Sequence, residues 1–261
     1  MRAIQEVLKQ QHKVAIASHF SRAAQSYEHH NLLQRWCAAR LIEWLPAATG
    51  LTADIGCGPA VNTEALLART KHYIGIDIAS GMLAKAQRNY PNQSWLRADL
   101  EALPFAAASI NTLYANLAVQ WADDLTATLN HWLSVLRPSG TVVISTILAG
   151  SLTPLADCFQ QYTGAPRHNH FYSASTLQQI LSNVSGATVQ FEVEQITIPY
   201  LTVRAMLYDL KGIGANYQQQ RQQPLTRSQL ACVEAAMESH RDRTGNLPLH
   251  WVVGFIKLTK D

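Results

Sequence analysis

Apolar positions change their period along this chain, and the changes mark out its elements. Over residues 1–45 the spacing is helical. Val14, Ile16, Ala17 and Phe20 share a face, and Leu32, Leu33, Trp36, Ala39, Leu41, Ile42 and Leu45 form a longer stripe that Pro46 ends. From 51 to 148 short apolar runs alternate with helical stretches. Strands are predicted at about 51–55, 73–77, 93–97, 110–115 and 141–148, and helices at about 60–70, 80–89 and 124–136. Leu136-Arg137-Pro138-Ser139-Gly140 reads as the turn before the fifth strand. Such alternation implies an α/β fold with a parallel sheet and right-handed crossovers. Ligands of such sheets bind beyond the carboxyl ends of the strands.

The later chain is less regular. Residues 149–185 hold Pro154, Gly164 and Pro166 and an N-capped helix from Ser173 to Leu181. A long strand is predicted at about 187–200. Residues 202–242 read as an insertion with a helix running into Asp209-Leu210-Lys211-Gly212-Ile213-Gly214-Ala215. A Gln-rich loop (218–223) and a helix at Leu225–Leu230 follow. The stretch from His250 to Leu258 predicts a last strand, antiparallel at the sheet edge. The expectation is one domain, 1–261: a helical cover (1–45), a cofactor-binding half (51–148) and a substrate half (149–261).

Composition narrows the class. At 261 residues, 48% hydrophobic and 15% charged, the chain can bury one large core. No apolar run approaches the roughly 18 residues of a membrane helix. The first residues lack an apolar signal core, so no targeting segment is expected. Net charge is only +3, without clustered Lys/Arg among aromatics, which argues against nucleic acid. Cys37, Cys57, Cys158 and Cys232 form no C-x-x-C pair, arguing against zinc or a disulfide framework and fitting a cytoplasmic protein. His168 and His170 stand at i and i+2 without a third ligand, so no metal is expected.

The chemistry concentrates at Ala53-Asp54-Ile55-Gly56-Cys57-Gly58-Pro59-Ala60, where a strand meets a Gly-x-Gly turn that opens a helix. Glycines let the backbone approach a ligand, and a helix start offers unpaired N–H groups. Asp77 ends the second strand about 20 residues on, where a ribose-binding acid belongs. Asp99 follows the third strand. A nicotinamide-binding domain would place a small residue where Val61 stands.

The glycine turn and three ordered acids (Asp54, Asp77, Asp99) resemble class I S-adenosylmethionine-dependent methyltransferases. The resemblance implies a Rossmann-like seven-stranded sheet and S-adenosyl-L-methionine as cofactor. Gly56 and Gly58 would take the methionine part, Asp77 the ribose hydroxyls and Asp99 the adenine amine, with Asp54 and Asn116 completing the cofactor site. The family often has Gly where Ala60 stands. Phe20-x-Arg22-Ala23-Ala24-x-x-Tyr27, Asn116-Leu117-Ala118-Val119-Gln120-Trp121, Leu210-Lys211-Gly212-Ile213-Gly214-Ala215 and Leu225-Thr226-Arg227-Ser228-Gln229-Leu230 narrow this further. From about Phe20 to the C-terminus the chain resembles the malonyl-acyl-carrier-protein O-methyltransferase family of biotin synthesis.

That family methylates the free carboxylate of a malonyl thioester, on acyl-carrier protein or coenzyme A. A malonyl carboxylate is ionised at neutral pH, so no strong base is needed, and none of the usual catalytic triads is evident. Tyr27 is then the candidate catalytic residue; otherwise it anchors a connector. Gln120 and Trp121 would wall the substrate pocket, and Lys211, then Arg204, would select the carboxylate. Lys211 alternatively serves only as a charge at a helix C-terminus. A basic surface from Arg22, Arg35 or Arg227 would meet an acidic carrier protein. Two other readings remain open: a methyltransferase of another small acid or a quinone precursor, and a non-catalytic cofactor-binding regulator.

Overall fold

A computed structural model describes residues 2–47, 49–213 and 223–261. Gly214, Ala215 and Gln218 to Gln222 of the predicted insertion therefore lie outside the described residues. Helices α1 (Arg2–Ala23) and α2 (Leu32–Glu43) precede the sheet. Its first five strands are β1 (Thr49–Ile55), β2 (Thr70–Asp77), β3 (Ser94–Arg97), β4 (Ile110–Asn116) and β5 (Leu136–Ile147). Between them run α3 (Thr63–Leu67), α4 (Ser80–Asn89) and α5 (Leu125–Val135). Then come α6 (Leu155–Thr163), α7 (Ala174–Ser182), β6 (Ala187–Tyr200), α8 (Val203–Gly212), α9 (Arg227–Met237) and β7 (Leu247–Lys260).

The seven strands order as β3-β2-β1-β4-β5-β7-β6, with β1 to β5 parallel and β7 antiparallel to both neighbours. The last strand is thus not at the edge, as its position in the chain suggests, but between β5 and β6. Its residues explain the placement. Val253, Phe255, Ile256 and Leu258 are wholly buried, whereas β6 exposes Gln190, Glu192 and other polar side chains. An edge strand tolerates such charges and gains protection from edge-to-edge pairing. Other differences are local. The helix predicted at 60–70 is confined to α3, because Pro59 to Asn62 belong to the glycine turn. Strand β5 begins at Leu136 rather than 141, and α6 was hidden in an irregular stretch.

Both faces of the sheet are covered. Val142 and Ile144 join Leu129, Trp132, Leu177 and Leu181 of α5 and α7 on one side. Between them in sequence, Val143 points the other way, into a layer with Leu41 of α2, Phe159 of α6, Met206 of α8 and Val233 of α9. This alternation at period two is what a strand buried on both faces requires. Each large apolar side chain so buried contributes about 1.5–3 kcal/mol relative to exposure. A smaller cluster, Ala23 and Ala24 with Ala79 and Met82, seats the end of α1 against α4. Thus α1, α2, α6 and α8 roof the carboxyl ends of β1, β2 and β4.

Candidate active site

Two adjoining clefts open under this roof. The first, of about 740 Å³, is lined by Gly56, Gly58, Asp77, Asp99 and Asn116 from strand ends, and by Lys13, Ile16 and Phe20 of α1. The second, of about 1230 Å³, lies between α2, α6, α8 and the β4 end and includes Gln120. Phe20, Tyr27, Leu117 and Trp121 line both. The common wall is held by an edge-on contact of Phe20 with Trp121, ring centroids 5.4 Å apart.

The glycine turn is strapped to β2. Gly56 and Cys57 N–H donate to the Ile76 carbonyl, and Gly58 N–H donates to Asp77 Oδ2 at 3.0 Å. Gly56 and Gly58 have φ of 71° and 56°, in the left-handed region, and a Cβ on Gly56 would stand 2.6 Å from Ala118 Cβ. Glycine is required there by both conformation and space. Ala60 also has positive φ, 73°, so the position where glycine is common needs that conformation here too. Asp77 accepts a second bond from Ala79 N–H at 2.7 Å. Burial pushes its pKa up to about 6, against the lowering effect of these N–H groups.

Asp99 is gripped from α1. Lys13 Nζ bonds Asp99 Oδ2 and Glu101 Oε2. Burial works against the Lys13 charge, but the bonds to both acids outweigh it, and its pKa is raised. The sequence reading left Lys13, Ile16 and Phe20 out of the site. Their spacing on one face of α1 was the available signal. Tyr27, in the turn after α1, lies over Gly58, its Cζ 4.0 Å from where a Cβ would be. Burial, and then the carboxylates of Asp77 and Asp54, push its pKa far above the usual phenol value. These surroundings hold the Tyr27 phenol in its protonated form.

Sequence comparison decides the family. A relative named malonyl-[acyl-carrier protein] O-methyltransferase, from Enterobacter lignolyticus, is 32% identical over 252 residues, covering 95% of this chain and 98% of its own. The chain belongs to that family. A sequence model described as Methyltransferase domain matches residues 53–144 of this methyltransferase. The biotin biosynthesis bifunctional protein BioHC of Cellvibrio japonicus is 31% identical over 95% of this chain, which spans 50% of that protein. In fold, an S-adenosylmethionine-dependent methyltransferase from Mesorhizobium loti superposes with a TM-score of 0.51 at 19% identity, covering 84% of this chain and 96% of its own.

Within this O-methyltransferase, three predicted site residues have other surroundings. Asp54 does not line either cleft. Its carboxylate lies behind the turn and accepts from Tyr73 Oη at 2.9 Å, and Tyr73 in turn meets Thr63 Oγ1 at 3.0 Å. Burial raises its pKa to about 7; the Tyr73 bond opposes this and the nearby Asp77 charge adds to it. Arg204 is 75% exposed and pairs with Glu234 at 2.8 Å. Lys211 is exposed and lines an outer hollow with Arg22, His19 and His30 instead of the second cleft. The reason is the helical stripe of α8: Leu207, Leu210 and, just beyond its end, Ile213 line the cleft, and Arg204 and Lys211 lie to one side of that stripe, exposed. Asn116 and Gln120 do line the clefts, but the Asn116 amide also fastens α2 and the Gln120 amide closes its own turn. Asn116 Nδ2 donates to the Gln34 carbonyl at 2.9 Å, and Gln120 Nε2 to the Leu117 carbonyl at 2.6 Å.

A cationic side chain lines the second cleft from the stretch that holds His168 and His170. Arg167 lines it, held with φ 61° and with its Nη2 donating to the Gln223 carbonyl at 2.6 Å. A left-handed conformation costs a non-glycine residue roughly 1–2 kcal/mol. His168 beside it stacks on Phe171, centroids 5.4 Å apart.

Proposed function

We propose that this enzyme transfers the methyl group of S-adenosyl-L-methionine to the free carboxylate of a malonyl thioester, malonyl-acyl-carrier protein or malonyl-CoA. The product is a malonyl methyl ester, the start of pimeloyl chain assembly for biotin. One observation carries the reading: an acid-lined cleft and a larger, mostly apolar cleft share a wall at Tyr27 and Trp121. The first suits a cofactor that is cationic and rich in hydroxyls. Gly58 leaves room beneath Tyr27, Asp77 would take the ribose hydroxyls and Asp99 the adenine amine. The second suits an acyl thioester.

When bound, the cofactor supplies an electrophilic sulfonium methyl. The protein's part is positioning, which can replace a large entropic barrier. Phe20, Tyr27 and Trp121 exclude water from the junction of the clefts. Tyr27 keeps its proton and donates a hydrogen bond to orient the carboxylate, which is ionised and needs no base. Methylation removes the acyl group's charge, so the product enters an apolar elongation site disguised. Transfer of labelled methyl to malonyl-carrier protein and malonyl-CoA, but not to acetyl-carrier protein or free malonate, is the expected result. Label on acetyl-carrier protein, or none on either malonyl thioester, would reject the reading.

A further inference from the structure

The second cleft has a peculiar charge balance. Among its described lining residues there is no Asp, Glu or Lys, and the single permanently charged side chain is Arg167. Most of the wall is Leu, Ile, Phe and Trp. Burial lowers the pKa of Arg167, yet a guanidinium stays charged at any working pH. Among the described lining residues, Arg167 is therefore the permanent positive charge that an anion entering this cleft would meet. The backbone points the same way, because Arg167 is fixed in a left-handed conformation that side-chain-bearing residues avoid.

We propose that Arg167 is the residue of the second cleft that binds the substrate's carboxylate, the role that the sequence pattern gave to Lys211 and Arg204. This rests on the proposed malonyl substrate. A guanidinium fork can meet a carboxylate with two parallel hydrogen bonds, which selects a planar anion and leaves an oxygen lone pair for attack on the methyl carbon. The new C–O bond forms as the methyl–sulfur bond breaks, the sulfur keeping the electron pair. The ester that results is neutral, so Arg167 favours the acid on entry and loses its partner on methylation. One side chain then serves substrate selection and product release.

The test compares wild type with Arg167→Ala and Arg167→Lys, using malonyl-CoA and its methyl ester as paired ligands. Wild-type turnover of malonyl-CoA checks the underlying reading independently. Calorimetric cofactor affinity, unchanged within about twofold, checks that each variant is folded. Arg167→Ala is expected to raise the KM for malonyl-CoA roughly 10- to 100-fold, the worth of a charge-assisted bond, and Arg167→Lys to recover part of it. Wild type should bind the acid more tightly than the ester, and Arg167→Ala should lose that preference. Equal loss of affinity for acid and ester would overturn the proposal, since Arg167 would then read the arm both share, including its phosphates. So would an unchanged KM.

Discussion

Gly58 N–H and Asp77 Oδ2 stand 3.0 Å apart, so the glycine turn and the acid proposed to take the ribose are one hydrogen-bonded unit. Asp77 titrates near 6 because burial outweighs its N–H donors. Ribose hydroxyls donate best to the ionised form. Cofactor affinity should therefore be flat above pH 7 and fall by up to about tenfold per unit below 6. Asp77→Asn should weaken binding by roughly 10- to 100-fold at pH 7.5 and flatten the profile. Calorimetry between pH 5 and 8 checks this; a variant that keeps the wild-type pH profile would remove Asp77 from the ribose.

Asp54 makes the opposite kind of contribution, to folding. Its folded pKa of about 7 lies above the ordinary carboxylate value of 3.8. Between those values the native state holds more protons than the unfolded chain, so stability from this group declines as pH rises from about 4 to 7. At 1.36 kcal/mol per unit the full loss is on the order of 4 kcal/mol. Asp54→Asn keeps an acceptor for Tyr73 and carries no charge. It should unfold in more urea than wild type at pH 8, with the advantage vanishing near pH 4.

Much of this was legible in the sequence, for physical reasons. Strand period, the Gly-x-Gly turn and the strand-end acids fix backbone positions, and topology brings those together whatever the surface does. Asp54 belongs to the same motif, but side-chain direction within a turn is not written in spacing, and its carboxylate turned to Tyr73. In α8 the stripe Val203, Met206, Leu207, Leu210 recurs at helical period, and Arg204 and Lys211 fall to the side of it, where both are exposed. Arg167 had no such signal, because a loop side chain has no period, and only packing aims it. The place of β7 depended on comparing its burial with that of β6.

Arg204→Ala and Lys211→Ala should accordingly leave the KM for malonyl-CoA within about twofold of wild type, since surface charges of this kind contribute little. Steady-state kinetics on both variants decides it. A tenfold rise in either would return that residue to the substrate.

Gly212 has a different reason to be glycine. A Cβ there would stand 2.1 Å from His30 Cδ2. The ring cannot readily swing away, because His30 Nδ1 meets Asp209 Oδ1 at 2.6 Å and Ser26 Oγ bonds the Gly212 carbonyl at 3.0 Å. Alanine gains about 1 kcal/mol of helix propensity, but the overlap costs about 1–3 kcal/mol. Gly212→Ala should be destabilised in thermal unfolding, and His30→Ala in the same chain should restore most of the loss. A double variant no more stable than Gly212→Ala would place the defect elsewhere.

Lys13 joins the cover to the first cleft by bonding Asp99 and Glu101 across 86 and 88 positions of sequence. The Lys13 and Asp99 side chains are 23% and 25% exposed, so each ion pair is worth about 0.2–1 kcal/mol. Removing both should let α1 lift more often without unfolding the sheet, because the contacts of Phe20 with Trp121 and of Ala23 and Ala24 with Met82 remain. Lys13→Met keeps an aliphatic stem beside Ile16 in the cleft lining. Its cofactor dissociation rate, followed by stopped-flow fluorescence of Trp121, should rise roughly two- to fivefold, as the energies imply. Urea unfolding of the cofactor-free variant should shift by no more than about 1 kcal/mol. A dissociation rate equal to that of wild type would mean that the cover is held by its apolar contacts alone, with the lysine bridge contributing nothing to retention.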